Sequence, residues 1–275
     1  MIKLSIIRDV ATKEFKNSLR NRWVLVVSVI TALLALAISY FGAAPTGRTG
    51  FGSFEVTIVS LSSLVTYLVP IIALTLGFDA IVGEKEGKTL ELLLTMPLSR
   101  FELFTGKFAG LGLALAVSTA AGFGLAGALI GWMVGTAHLG AYLLFIATAV
   151  LLGLSFLAIS LTVSVGVGER AKAVGWVIFI WFFYILIFDL ILIGVLVATE
   201  GRLNPTLFPL LLYLNPADLF RLINLTSAEG VKAAYGLSAL AKGDLFNLWL
   251  LLGALVGWIV APLGLGYAVF RKRGY

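Results

Sequence analysis

The stretch V-G-W-V-I-F-I-W-F-F-Y-I-L-I-F-D-L-I-L-I-G-V-L-V-A, Val174–Ala198, decides the fold class. Its 25 residues carry one charged side chain, Asp189. A helix rising about 1.5 Å per residue over that length covers the roughly 30 Å of a bilayer's hydrocarbon core. In lipid every backbone donor needs a partner within the protein, and a helix supplies one for each. A barrel strand would be shorter and would alternate apolar with polar positions. This stretch therefore reads as a transmembrane helix.

Working outward, five more runs of that kind occur, near Val24–Phe41, Val56–Phe78, Phe108–Val134, Tyr142–Val165 and Leu248–Phe270. The whole chain of 275 residues is 60% hydrophobic and 12% charged, with a mean hydropathy of +1.05. Soluble domains carry about 25% charged residues. The expected fold is an all-α membrane protein with six transmembrane helices over residues 23–275.

The formal charge is +6, but the cations flank the apolar runs and form no single stripe, which speaks for membrane orientation and against nucleic acid. Fifteen of the 20 Lys and Arg residues fall in the segments that share a side with the N-terminus. The exceptions are Arg48, Arg202, Arg221, Lys232 and Lys242. Cytoplasmic loops hold the excess of Lys and Arg, so both termini are expected in the cytoplasm. The apolar run before Gly42-Ala43-Ala44 is too long for a signal peptide, and five more spans follow it.

Residues 1–22 read as a separate element. Leu4, Ile7, Ala11, Phe15 and Leu19 recur at helical spacing, with Arg8, Lys13, Lys16 and Arg20 on other faces. Such a helix suits the cytoplasmic leaflet, its apolar stripe in the acyl boundary and its cations near lipid headgroups.

The loop of residues 79–107 carries the most functional information. Gly87-Lys88-Thr89 invites a nucleotide-binding reading, but Gly83 stands one position too close for a P-loop. Glu84 and Glu86 would also confront the phosphates. The loop reads instead as two short helical pieces. Leu90, Leu93 and Leu94 line one side of the first, which Pro97 ends. Ser99 and Glu102 have the spacing of a capping box that starts the helix into span 3. A short apolar-faced helix bounded by charges is a natural plug for a groove on a soluble partner.

The phrases Glu84-Lys85-Glu86-Gly87-Lys88-Thr89-Leu90-Glu91-Leu92-Leu93-Leu94, Pro97-Leu98-Ser99-Arg100 and Gly106-Lys107 resemble the loop between spans 2 and 3 of ABC-2 type permeases. The resemblance runs end to end, through a cytoplasmic elbow helix, six spans and Leu214-Asn215-Pro216-Ala217-Asp218-Leu219-Phe220-Arg221 before span 6. Within the family the chain is most similar to permeases serving maturation of nitrous oxide reductase, through Asn21-Arg22-Trp23, Phe78 to Glu84, and Asn215-Pro216 to Asn224-Leu225-Thr226.

That resemblance implies a bacterial inner-membrane subunit working as a homodimer. Two copies of a cytoplasmic ABC ATPase would dock on the coupling loops, and a periplasmic accessory protein would sit above. It places Glu84, Glu86, Gly87, Thr89, Glu91 and Leu93 in or near the ATPase-coupling helix. ATP and Mg would be held by the ATPase, with no cofactor and no catalytic residue in this chain.

The external segment, residues 199–247, is too varied for a simple loop. Leu207 to Leu214 is too short to span and suits an interfacial or re-entrant piece. Asn215 makes a good N-cap, Pro216 fits the first helical position, and Asp218 favours the positive end of the helix dipole. Asp218 and Arg221, three apart, can pair on one face. This segment can close the outer end of a dimer path, face a periplasmic partner, or both.

Asp189 is the only acid deep within a span, and it suits either a proton relay or a structural pairing with a neighbouring helix. The glycine repeats at 127, 131 and 135 and at 253 and 257 suit close helix packing, and Pro70 and Pro262 suit kinks. The chain has no Cys, and Met1, Met96, Met133 and His138 form no ladder through a span, so no copper path and no metal site is expected. The cargo stays open: another substrate such as lipid, drug or polysaccharide, a sulfur-containing species, or force transmission without a solute. An ion-coupled secondary transporter using Asp189 is the alternative class, and it would want broken helices around midplane charges. An intramembrane enzyme lacks a base for its serines and an H-E-x-x-H motif.

Overall fold

The structure is a computed structural model that describes residues 3–20, 22–41, 50, 54–200, 207–227 and 247–273. Among these residues all regular structure is helical. The helices are α1 (Leu4–Arg20), α2 (Trp23–Phe41), α3 (Phe54–Gly77), α4 (Asp79–Glu86), α5 (Thr89–Thr95), α6 (Arg100–Val134) and α7 (Leu139–Gly166). They continue with α8 (Arg170–Phe182), a π-helical turn (Phe183–Ile187), α9 (Phe188–Ala198), α10 (Leu207–Leu212), α11 (Pro216–Ser227) and α12 (Leu248–Lys272).

Six helices are long and apolar enough to cross a membrane: Trp23–Phe41, Thr57–Glu86, Arg100–Val134, Leu139–Gly166, Arg170–Ala198 and Leu248–Lys272. They match the six expected runs in order. Span 3 starts earlier than its apolar run because the capping box forms at Ser99. Ser99 Oγ accepts from the Glu102 amide, and Glu102 Oε2 accepts from the Ser99 amide at 2.7 Å. Two helical turns of span 3 therefore stand proud of the apolar stretch.

Helix α7 is the central post, packing against α12, α3, α6 and α11. Its Phe145, Leu152, Phe156, Leu157 and Leu161 are fully buried and meet Val65, Val69, Ala73 and Leu115 in one core. Between helices in lipid, close van der Waals contact and interhelical hydrogen bonds do the work that water exclusion does elsewhere. Tyr142 Oη accordingly donates to the Phe123 carbonyl at 2.9 Å, and Ser160 Oγ to the Leu74 carbonyl at 2.6 Å. The glycines divide by role. A Cβ at Gly127 would enter the Tyr142 ring, so span 3 needs glycine there, whereas Gly253 and Gly257 have no neighbour within 4 Å. Within one chain the second repeat is not a packing seam, contrary to the sequence expectation.

Helix α1 also departs from expectation. It lies along the start of α6, where a Cβ on Gly106 would come 2.7 Å from Val10 Cβ and one on Gly110 would strike the Ala11 carbonyl. Val10, Ala11 and Phe15 are thereby half-buried, while Leu4 (80% exposed) and Leu19 (47%) remain free to meet lipid. Part of the apolar stripe is thus covered by protein, because two glycines let the helices touch. The tail end of the chain is fixed by cations at helix C-termini. Arg100 donates to the carbonyls of Phe270 and Arg273, and Arg273 to those of Gly166 and Val167.

Candidate functional site

The loop between spans 2 and 3 folds as α4, a tight turn and α5. Ser164 of α7 fixes its beginning, its Oγ accepting from the Ile81 and Val82 amides at 3.0 Å each. Gly87 closes α4, its amide donating to the Gly83 carbonyl at 3.0 Å, and Lys88 turns the chain in the left-handed region at φ 56°. Thr89 Oγ1 donates back to the Glu84 carbonyl at 3.2 Å, which braces the turn. Helix α5 follows and stops at Met96, extended ahead of Pro97.

The three leucines expected on one side of α5 are not equivalent. Leu90 is buried in the core, while Leu93 and Leu94 are half-buried, Leu93 lining a hollow with Val10, Met96, Leu98 and Leu103. The apolar surface that α5 offers outward is Leu92 (64% exposed) and Met96 (50%), beside the exposed Gly87, Thr89 and Glu91.

Two cations clamp the base of this loop. Lys107 of α6 is 3% exposed; its ammonium lies 2.7 Å from Glu84 Oε1 and 2.9 Å from Glu14 Oε1 of α1. Arg170, which opens span 5, places its Nε 2.6 Å from Asp79 Oδ1, and its backbone amide donates to Glu86 Oε1 at 2.7 Å. Gly83 makes room for the Arg170 pairing, since a Cβ there would sit 2.7 Å from Arg170 Nη2. Glu102 completes the clamp by accepting from the Lys3 amide at 2.6 Å. Lys107 and Arg170 therefore join the loop to α1, span 3 and span 5. A cavity of about 580 Å³ lies among these groups, lined by Lys13, Glu14, Trp23, Asp79, Glu84 and Lys107.

A second polar centre lies at the opposite end of the bundle. Asn215 caps α11: its Oδ1 accepts from the Ala217 amide at 3.0 Å and its carbonyl from Leu219 at 3.1 Å. Its Nδ2 donates at 2.9 Å to the Tyr184 carbonyl, within the π turn of span 5. Arg221 Nη1 reaches Asp189 Oδ2 at 2.7 Å and Asp218 Oδ1 at 3.1 Å. Burial above all, with the nearby Asp189 charge, pushes the Asp218 carboxyl up to about 7, against the pull of Arg221. Asn224 is buried and donates to Thr148 Oγ1 at 3.0 Å.

Six spans, a clamped loop and a capped helix at the far end describe a known type of membrane protein. The sequence signature of the "ABC-2 family transporter protein" matches residues 8–275. The chain belongs to the ABC-2 family. Among its relatives is the "Probable ABC transporter permease protein NosY" of Stutzerimonas stutzeri, 46% identical over 273 residues, 96% of this chain and 98% of that one. The protein of the same name from Pseudomonas aeruginosa is 45% identical over 277 residues, 98% and 99% of the two chains. This ABC-2 permease is thus a multi-pass membrane protein similar to NosY permeases along nearly its full length.

Sequence reasoning singled out Glu84, Glu86 and the Glu102 cap but did not pair Glu84 with Lys107 or Glu86 with Arg170, and it passed over Glu14. One signal was present: Lys107 stands one helical turn before Leu111 on a buried face, where an unpaired cation would be costly. Asn215, Pro216, Asp218 and Arg221 gather on α11 with Asp189 opposite. Arg48, Arg202, Lys232, Lys242 and most of the external segment beyond α11 lie outside the described residues.

Proposed function

We propose that this ABC-2 permease is the membrane subunit of an ATP-driven transporter and that α4–α5 is the element on which a separate cytoplasmic ATPase docks. The observation that carries this reading is the pairing of an outward apolar tip with a rigid base. Leu92 is exposed on a helix of seven residues and Met96 just past its end, while Glu84 and Glu86 below are tied to spans 3 and 5 through Lys107 and Arg170. A groove-filling tip recognises a partner, and an ionic base passes its displacement to the spans as a rigid body. Glu84, Glu86, Gly87, Thr89, Glu91 and Leu93 belong to this coupling element, with Leu92 as its contact point.

Two ATPase copies would serve a permease homodimer, and ATP and Mg would bind the ATPase. Gly83 lies inside α4 and Gly87-Lys88-Thr89 joins two helices, which supports the absence of a phosphate loop in this chain, since that loop follows a strand. The excess of Lys and Arg beside the coupling loop supports a cytoplasmic position for both termini, in a bacterial inner membrane. Similarity to NosY permeases supports service in maturation of the copper site of nitrous oxide reductase. There the α10–α11 region would face a periplasmic accessory protein and the work would be export or conformational.

The test is co-expression with the genetically linked ATPase and purification through a tag on the permease. Equimolar ATPase with the wild type, lost in a Leu92→Asp, Met96→Asp variant that keeps its thermal stability, supports the docking reading. An ATPase that never accompanies the wild type in mild detergent removes it and turns attention to an ion-coupled transporter built around Asp189.

A further inference from the structure

Helix α11 is not one of the six spans, yet polar contacts tie it to three of them. Asn215 holds the π turn of span 5, Arg221 holds Asp189 of span 5, and Asn224 holds Thr148 of span 4. Trp258 of span 6 donates to the Tyr213 carbonyl just before α11. Lifting α11 away would break all of these and would expose Asp218, whose side chain is now 7% exposed.

At the centre of the seat the charges do not balance. One guanidinium nitrogen, Arg221 Nη1, serves two carboxylates, Asp189 Oδ2 and Asp218 Oδ1. With both carboxyls ionised the triad holds one negative charge too many, and Asp218 carries its share where its side chain is only 7% exposed. Among the described residues Arg221 is the one cation that pairs with these two carboxylates. Helices α7 and α12 carry no acidic or basic side chain before Arg271. Helix α3 contributes the Tyr67 phenol and the π turn contributes Tyr184, both uncharged at neutral pH. Asn215 Nδ2, 3.1 Å from Asp218 Oδ2, is neutral.

We propose that the Asp189–Arg221–Asp218 triad is a proton-binding site coupled to the seating of α11: the seated helix binds one proton on Asp218, and unseating releases it to water. The proton goes on to a carboxylate oxygen of Asp218, leaving Asp189 and Arg221 as a neutral pair. No other group changes charge. Burial and the Asp189 charge already hold the Asp218 carboxyl at about 7 in the seated state, within reach of ambient pH.

The sign follows from linkage. A carboxyl whose affinity for protons is higher seated than free favours the seated state at low pH. That preference fades as pH rises toward the seated value and levels off above it. Between pH 6 and pH 8, a seated value of about 7 against an ordinary carboxyl corresponds to an approximately tenfold drop in the seating equilibrium. None of this involves the ATPase, so the triad titrates in the isolated permease.

The experiment is hydrogen exchange by mass spectrometry on the full chain in lipid nanodiscs, read on peptides covering α11 and corrected for the intrinsic pH dependence of exchange. The wild type should lose about tenfold of its α11 protection from pH 6 to pH 8. Asp218→Asn should show a flat profile, and Asp189→Asn should move the midpoint to lower pH. A flat wild-type profile overturns the proposal, and so does an Asp218→Asn protein that keeps the wild-type drop. Should Asp218→Asn fail to fold, an Asp189→Asn protein with an unmoved midpoint overturns it as well.

Discussion

Lys107 Nζ stands 2.7 Å from Glu84 Oε1, so the two ends of the loop between spans 2 and 3 are held together by one buried ion pair. The same ammonium reaches Glu14 at 2.9 Å, and the side chains of all three residues are at most 19% exposed. One cation among three separate elements cannot be removed without leaving two carboxylates unpaired. Lys107→Met should therefore cost about 3 kcal/mol or more, the usual loss when a buried pair is broken from one side. Adding Glu14→Gln and Glu84→Gln should recover much of it. Thermal unfolding in detergent, followed by tryptophan fluorescence, reads both changes. A Lys107→Met protein as stable as the wild type would show that the carboxylates find water instead.

The two exposures on α5 separate fold from docking. Leu90 is buried and Leu92 is exposed, two positions apart. Leu90→Asp should destabilise by several kcal/mol because it places a carboxylate in packed helices. Leu92→Asp should leave stability within about 0.5 kcal/mol, as surface changes usually do, yet abolish ATPase co-purification. Parallel unfolding and pull-down measurements decide it; equal effects of the two substitutions on stability would contradict the assigned faces.

The crossing of α1 over α6 depends on bare backbone. Gly106→Leu must displace Val10, whose Cβ would lie 2.7 Å from the new Cβ, and overpacking of this kind costs about 1–3 kcal/mol. The loosened helix should present Lys13 and Lys16, already exposed, in the unfolded form that a protease cuts. Limited trypsin digestion should cut the variant in this region several-fold faster than the wild type. Unchanged cleavage would mean that the Lys107–Glu14 pair and the Lys3–Glu102 bond hold α1 without the close crossing.

How far the sequence carried the structure depended on the range of the signal. Lipid demands about 20 apolar residues per crossing, so each span was legible locally, as was the Ser99–Glu102 capping box, whose two partners are three residues apart. The cap at Asn215 and the Asp218–Arg221 pair were legible for the same reason. Lys107 with Glu84 and Glu14, Arg170 with Asp79, and Arg221 with Asp189 join residues 23 to 93 positions apart, and no periodicity reports them. The close crossing of α1 over α6 was not legible in the spacing of α1, because Gly106 and Gly110 act from another helix. The π turn at Phe183–Ile187 left no mark in a run that is apolar throughout.

Arg221 carries the remaining prediction. Its loss leaves Asp189 and Asp218 facing one another without a cation, while their side chains are 32% and 7% exposed. Arg221→Met should cost about 2–3 kcal/mol, somewhat less than a fully buried pair because Asp189 retains contact with its surroundings. Without the guanidinium, protonation of Asp218 in the folded state becomes more favourable still, so folding binds a proton over a wider range. Stability that depends on a bound proton is lost as pH rises, so the deficit of Arg221→Met should be larger at pH 8 than at pH 6. Asp189→Asn added to Arg221→Met should narrow that difference by removing the facing charge. Melting temperatures of the wild type and both variants at the two pH values measure it, and a deficit that shrinks with rising pH would contradict the assignment of Arg221 as counter-ion to the pair.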